Sequence, residues 1–164
     1  MYITIWRHGQ AGQALRDSDR ELTPQGREEV AFGLKCYVDA LARYEIPSPT
    51  RLLYSRWRRT AQTMDILATG LRGRPEMAEC LIPGCSPLDV EAALDSGPSG
   101  DDEHLLLVSH QPLVSRLADA LLDSPGLVPG LSPGGLVCLQ APQLARGLAG
   151  LRFWMLPPGY EACQ

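Results

Sequence analysis

Three short segments of this 164-residue chain carry groups able to handle a phosphoryl dianion. They are Arg7-His8-Gly9, Ser55-Arg56-Trp57-Arg58-Arg59 and Ser109-His110-Gln111-Pro112. A neutral imidazole can attack phosphorus and hold the phosphoryl group covalently, which splits one hard step into two easier ones. His8 suits that part. Arg7 beside it can hold the group, and Gly9 after it lets the backbone turn tightly and approach closely. Attack requires one unprotonated ring nitrogen, and a hydrogen bond from the other nitrogen sets that tautomer. His110 is suited to donate to the phosphoryl oxygens, where charge is stabilised during transfer. Arg59 can reach back from a helix to the same place, and guanidinium forks match phosphate geometry. Of the 15 basic residues only Lys35 is a lysine, so an anion site here is built from arginines.

Such groups work together only if the elements carrying them end side by side. Tyr2 to Trp6 is a short apolar, β-branched run that predicts a buried strand. Residues 8–22 read as a loop. Thr23-Pro24 opens a helix, with a hydroxyl cap and proline at the first helical position. Val30, Leu34, Val38 and Leu41 carry that helix to about Tyr44, and Pro47 and Pro49 end the region. Leu52-Leu53-Tyr54 predicts a second buried strand. Trp57, Ala61, Met64, Leu67 and Leu71 predict a second helix ending near Gly70 or Gly73. Ser86-Pro87 opens a third, shorter helix with Asp89 in its first turn. Residues 95–103 are rich in Gly, Pro, Ser and Asp and read as a surface loop. His104 to Ser109 is the most apolar strand candidate. Pro112 then starts a helix with Leu113, Leu117 and Leu121 on one face. A Pro/Gly loop from Pro125 to Gly135 leads to two final strands, Leu136 to Gln140 and Leu151 to Leu156. The order predicts an α/β three-layer sandwich with a mainly parallel central sheet flanked by helices. The last two strands are expected to pair antiparallel at an edge. Ligands in open α/β sheets bind beyond the C-terminal ends of the strands, where all three segments fall.

Arg7-His8-Gly9 after an N-terminal strand resembles the Arg-His-Gly signature of the histidine phosphatase, or phosphoglycerate-mutase-like, superfamily. Ser55 to Thr63 is similar to that family's Ser-x-x-x-Arg-x-x-Gln-Thr segment and aligns Arg59, not Arg56 or Arg58, with the second phosphate arginine. Leu107-Val108-Ser109-His110 resembles the strand carrying the second histidine. Arg20-Glu21-Leu22-Thr23-Pro24-x-Gly26 resembles the Arg-x-Leu-Thr-x-x-Gly stretch. Length and the lack of large insertions make the chain similar to the short SixA-type phosphohistidine phosphatases. The resemblance implies a phosphoglycerate-mutase-like fold, His8 as nucleophile, and Arg7, Arg59 and His110 as the phosphoryl pocket. Arg20 reads either as a further phosphate contact or as a loop ion pair. Many relatives carry a general acid in a Leu-x-Glu segment. The matching stretch here is Leu81-Ile82-Pro83, with Glu79 nearby but offset. An ester needs such an acid because an alkoxide leaves poorly. A phosphoramidate needs it less, since its nitrogen leaves as neutral imidazole once protonated.

The expectation is therefore a phosphohistidine protein phosphatase acting on a protein such as a phosphotransfer domain. A small-molecule phosphomonoesterase with the same nucleophile and a non-catalytic phosphoprotein-binding module are the alternatives. Phosphate or sulfate would suit the pocket, and no metal or other cofactor is invoked. Hydrophobic residues at 45% and charged residues at 21% mark a globular composition, read as one domain spanning 1–164. A net charge of −4 argues against a nucleic-acid partner. No apolar run is long enough for a membrane span, and Met1 to Trp6 lacks the basic leader of a signal peptide, so a cytoplasmic protein is expected. Five cysteines, an odd number, are expected to stay as thiols, and the Cys80–Cys85 spacing does not suit a zinc knuckle. Arg56 and Arg58 read as a solvated helix face or as a steering patch. His104 is expected to open its strand without a chemical role, and Trp57 to pack at a helix start, with the site mouth within its reach.

Overall fold

A computed structural model describes residues 1–94 and 103–164. The expected loop at 95–103 lies, but for Glu103, outside the described residues. Six strands form the sheet: β1 (Tyr2–Arg7), β2 (Arg51–Tyr54), β3 (Arg74–Met77), β4 (His104–Ser109), β5 (Leu136–Gln140) and β6 (Gly150–Met155). Among the described residues four α-helices accompany them: α1 (Pro24–Arg43), α2 (Arg58–Leu67), α3 (Pro87–Leu94) and α4 (Leu113–Leu122). The spatial order is β3-β2-β4-β1-β5-β6. β3, β2, β4 and β1 run parallel, while β5 is antiparallel to both β1 and β6. This is the mainly parallel sheet that the sequence order predicts, with the antiparallel pair at one edge.

Alternation along the strands sorts the core into two layers. Ile3, Ile5, Leu53, Leu105, Leu107, Val137 and Leu139 face one side, with Val90 of α3 and Leu113, Val114, Leu117 and Leu121 of α4. Trp6, Leu52, Leu106, Val108, Leu136 and Cys138 face the other, with Val30, Leu34, Tyr37 and Leu41 of α1 and Met64 and Leu67 of α2. Each fully buried Leu or Val contributes roughly 1.5–3 kcal/mol of transfer free energy. The two-residue period makes the pairing register costly to slip, because one residue of slippage would turn every side chain to the opposite layer.

One strand and the end of one helix depart from expectation. β3 was not expected. Its four residues are all exposed and include Pro75, which suits an edge position and gives no apolar signal. α2 stops at Leu67, and buried Leu71 lies in the connection to β3 rather than on the helix. α1 starts as the sequence predicts. Thr23 Oγ1 accepts the Gly26 N–H at 2.9 Å, with Pro24 at the first helical position. All five cysteines are free. Among the described residues no helix is long and apolar enough to cross a membrane.

His104 opens β4, at the sheet end remote from Ser109, and is fully buried. Its Nδ1–H donates to the Pro47 carbonyl at 2.6 Å. Its Nε2 therefore accepts, with Thr4 Oγ1 at 2.8 Å, and Thr4 Oγ1 in turn lies 2.8 Å from the Tyr37 hydroxyl. Burial pushes the pKa down to about 4, against the lesser upward pull of the Pro47 carbonyl. An unfolded imidazole binds its proton near 6.5, so acid favours the unfolded chain first. Stability should fall as pH drops from 6.5 towards 4, by about 3 kcal/mol from this residue, then level off. Thermal unfolding across that range checks it, and a midpoint unchanged down to pH 4 would refute the burial of a neutral His104.

Candidate active site

Register places the three segments together. Arg7 pairs with Ser109, and Tyr54 with Val108, so β1, β4 and β2 end level. The pairing continues one residue further: His8 N–H donates to Ser109 O and Ser55 N–H to Val108 O, each at 3.1 Å. His8, Ser55 and His110 thus leave three adjacent strands at the same edge. The His8 and His110 rings lie edge to face, 5.2 Å between centroids. Gly9 lets α1 close on this edge: a Cβ there would stand 2.7 Å from Val30 Cγ2 and 3.0 Å from Gly26 O.

His8 is 7% exposed, and its Nδ1–H donates to the Gly9 carbonyl at 2.7 Å. A carbonyl only accepts, so the proton sits on Nδ1 and Nε2 keeps its lone pair. Arg59 Nε–H donates to that lone pair at 3.0 Å. Burial lowers the His8 pKa to about 4. The Gly9 carbonyl opposes this, and the positive charges of Arg59, Arg7 and Arg20 add to it. His110 goes further down, to about 3, through burial and then the neighbouring His8 and Arg59. Both imidazoles are therefore neutral at pH 7.

Arg59, expected about a turn into its helix, is the second residue of α2. It is 4% exposed and held on three sides. Its Nη1 donates to the Asp17 carbonyl at 2.6 Å, and its Nη2 lies 3.3 Å from the Asp17 carboxylate. The guanidinium carbon sits 4.7 Å from the Trp57 ring centroid. Arg7 Nη1 donates to Leu131 O at 2.9 Å, while its buried Nε has no partner. Burial, and secondly Arg59, lower the pKa of Arg7.

The remaining motif residues brace the site. Gly9 N–H donates to Thr63 Oγ1 at 3.1 Å, and Thr63 Oγ1 donates to Arg59 O at 2.7 Å. Leu22 N–H donates to Gln62 Oε1 at 2.8 Å, which ties the loop at 8–22 to α2. Arg20 donates to Gly12 O at 2.7 Å and lies 3.1 Å from the Asp17 carboxylate, so it makes the loop ion pair. Arg56 pairs with Glu79 at 3.6 Å and Arg58 with Glu21 at 2.5 Å, all largely exposed. Trp57 borders the site, its ring 5.2 Å from that of His110. Asp17 was missed. It lies in a 3₁₀ turn (Asp17–Asp19) within the polar loop, and the run Arg16-Asp17-Ser18-Asp19-Arg20 offers only generic charge alternation as a signal. Ser55 was read only as part of a motif, and its contact with His110 was not foreseen.

Fold and site together define a three-layer α/β protein with a largely buried cluster of two histidines and two arginines at the strand ends. The chain belongs to the histidine phosphatase superfamily. It is similar over 96% of its length to a protein histidine phosphatase SixA solved with tungstate, at 26% identity, 97% coverage of that chain and a TM-score of 0.78. A protein assigned as the phosphohistidine phosphatase SixA of Agrobacterium tumefaciens shares the fold, at 21% identity, TM-score 0.74, and 96% and 98% coverage. So does a mycobacterial glucosyl-3-phosphoglycerate phosphatase, at 18% identity, TM-score 0.65, and 92% and 96% coverage. No protein-family model and no curated protein matches the chain.

Asp17 carries its negative charge beside Arg59 and Arg20. The hydrogen bond from Arg20 is the main cause of its lowered pKa. An incoming oxyanion must compete with that carboxylate, whereas the main-chain carbonyl of Asp17 holds Arg59 whatever the side chain. Asp17→Ala should therefore tighten inorganic phosphate binding by about 2- to 5-fold, the worth of a half-exposed ion pair. Calorimetric titration of phosphate checks it. Weaker binding in the variant would mean that the carboxylate orients Arg59 instead of competing with the anion.

Proposed function

We propose that this chain is a phosphohistidine protein phosphatase working through a covalent phosphohistidine on His8. The observation that carries the reading is the state of His8: Nδ1–H is committed to Gly9 O, and the lone pair of Nε2 faces a guanidinium instead of a proton. In the first step Nε2 bonds to phosphorus as the P–N bond of the substrate breaks. The leaving imidazole takes its proton from solvent. In the second step water attacks phosphorus, the P–Nε2 bond breaks and inorganic phosphate leaves. Arg59 must pass its Nε–H from Nε2 to a phosphoryl oxygen as the substrate binds. Arg7 and His110 offer buried, unpartnered N–H groups for the other oxygens. A tetrahedral oxyanion such as phosphate, sulfate or the tungstate of the related structure suits these donors.

The choice of a phosphoramidate over an ester rests on the acids. Asp17 is held ionised by two arginines, and Glu79 is drawn out to Arg56 with its side chain 69% exposed. Among the described residues no carboxylic acid hydrogen-bonds either imidazole. A leaving nitrogen tolerates that; a leaving alkoxide does not.

Two measurements test the reading. Phosphate release from a phosphohistidine-bearing phosphotransfer domain should be fast and lost in His8→Ala, with little release from a panel of small phosphate esters. Fast turnover of an ester alone would make the chain a small-molecule phosphomonoesterase, and binding without release would make it a phosphoprotein-binding module. The pH profile is the second. With the His8 pKa lowered to about 4, the nucleophile stays unprotonated well below the ordinary 6.5. The acid limb of kcat/KM, read on the fastest acid-stable substrate found, should fall near pH 4. A limb near 6.5 would contradict the buried, arginine-flanked imidazole.

A further inference from the structure

Ser55 is fully buried at the end of β2, and its Oγ lies 2.9 Å from His110 Nε2. A hydroxyl inside a protein must send its proton to an acceptor. Among the described residues Ser55 Oγ contacts Trp57 N–H and His110 Nε2 and has no carbonyl within hydrogen-bond distance; the one proton of Thr60 Oγ1 is shared between Ser55 O and Trp57 O, each 2.6 Å away. Trp57 N–H approaches Ser55 Oγ at 3.4 Å and is itself a donor. Among the described residues, His110 Nε2 is the acceptor left for the Ser55 proton. Nε2 is then bare, and in a neutral ring the proton belongs on Nδ1. That nitrogen is also buried and has no protein partner.

From this geometry we infer that Ser55 is a positioning residue that sets the tautomer of His110, so that Nδ1–H is the donor offered to the phosphoryl group. The relay runs from Trp57 N–H to Ser55 Oγ–H to His110 Nε2. The inference rests on reading the pocket as a phosphoryl site, and its chemical consequence is specific. In the other tautomer, Nδ1 would present a lone pair to an anionic oxygen, which repels it. The tautomer therefore decides whether His110 assists or opposes binding of charge. Orientation follows from the same contact, because turning the ring over would put a carbon against Ser55 Oγ and forfeit the bond. Burial keeps the ring neutral, so no second proton can make the two nitrogens equivalent. His8 carries the same tautomer by a different device, its Nδ1–H tied to a main-chain carbonyl. The two imidazoles thus meet the pocket in complementary states, one with a lone pair at Nε2 and the other with a proton at Nδ1.

Nitrogen-15 NMR of the imidazole rings in the intact chain tests this without any substrate. His110 should show a protonated Nδ1 and a bare Nε2 at pH 7, and inorganic phosphate should shift Nδ1. A wild-type spectrum with the proton on Nε2 would overturn the inference outright. Ser55→Ala should release the tautomer towards Nε2–H, and Ser55→Thr should retain Nδ1–H if it folds. In the alanine variant, phosphate binding and kcat should fall by about 10- to 100-fold, less than the roughly 100- to 1000-fold loss seen when an oxyanion donor is removed outright. In a His110→Ala background the same change should cost nothing further, because both variants remove one unit. An additive loss would assign Ser55 a merely structural part. If the NMR tautomer holds while no phosphorylated substrate turns over, the proposed activity fails and the role of Ser55 in anion binding stands.

Discussion

The level ending of three parallel strands is the constraint on which the chemistry of this molecule depends. His8, Ser55 and His110 are far apart in sequence and meet only because β1, β4 and β2 terminate at one edge. Their backbones continue to pair one residue beyond the strands. What holds that edge is the alternation of the core. Ile3, Ile5, Leu105 and Leu107 commit to one layer, and Trp6, Leu106 and Val108 to the other. The apolar pattern that folds the chain therefore also sets the relative height of the two histidines.

Burial then gives the site its electrostatic character. It is the largest cause of the lowered pKa at His8, His110, Arg7 and Arg59 alike. For the imidazoles the result is neutrality, which nucleophilic attack requires. For the guanidinium groups, which keep their protons at any accessible pH, the result is an uncomfortable crowd of positive charge. Asp17 relieves it from the loop, and Trp57 relieves it through its ring face. Repulsion from the arginines adds to the effect of burial on the imidazoles, and the same field would attract an oxyanion.

Much of this was legible in the sequence because the signals were local. Thr23-Pro24 announces a helix start, and Leu105 to Val108 announces a buried strand. The rule that ligands sit at strand ends pointed to Arg7, His8 and His110, and the resemblance of Ser55 to Thr63 to a family segment chose Arg59 over Arg56 and Arg58. β3 was illegible because its residues are exposed and carry no apolar period. Asp17 was illegible for another reason. Its importance comes from lying 3.3 Å from Arg59, 42 residues away, and no local pattern encodes that meeting. Arg20 stood between two readings because an arginine near a phosphate site and an arginine bracing a loop have the same sequence context. The positions of Gly12 O and Asp17, invisible in the sequence, show the bracing contacts. The hydrogen bond between Ser55 and His110 was hidden in the same way, inside a segment whose arginines drew the attention.

Among the described residues, the group that covers His8 Nε2 is a side chain, Arg59. His8 and His110 are almost wholly buried, yet what covers Nε2 is one guanidinium, supported by a single 3₁₀ turn and one indole. Uncovering it asks for a shift of Arg59 Nε from one acceptor to another, with Nη1 still held by the main chain of residue 17. An inserted domain would have to swing open, and it would meet the surface carrying the phosphoryl group. A side-chain cap needs no such clearance, and the phosphoryl oxygens that displace it replace the bond it gives up. On the proposed function, a cover this small suits a phosphoryl group presented on the surface of a large partner.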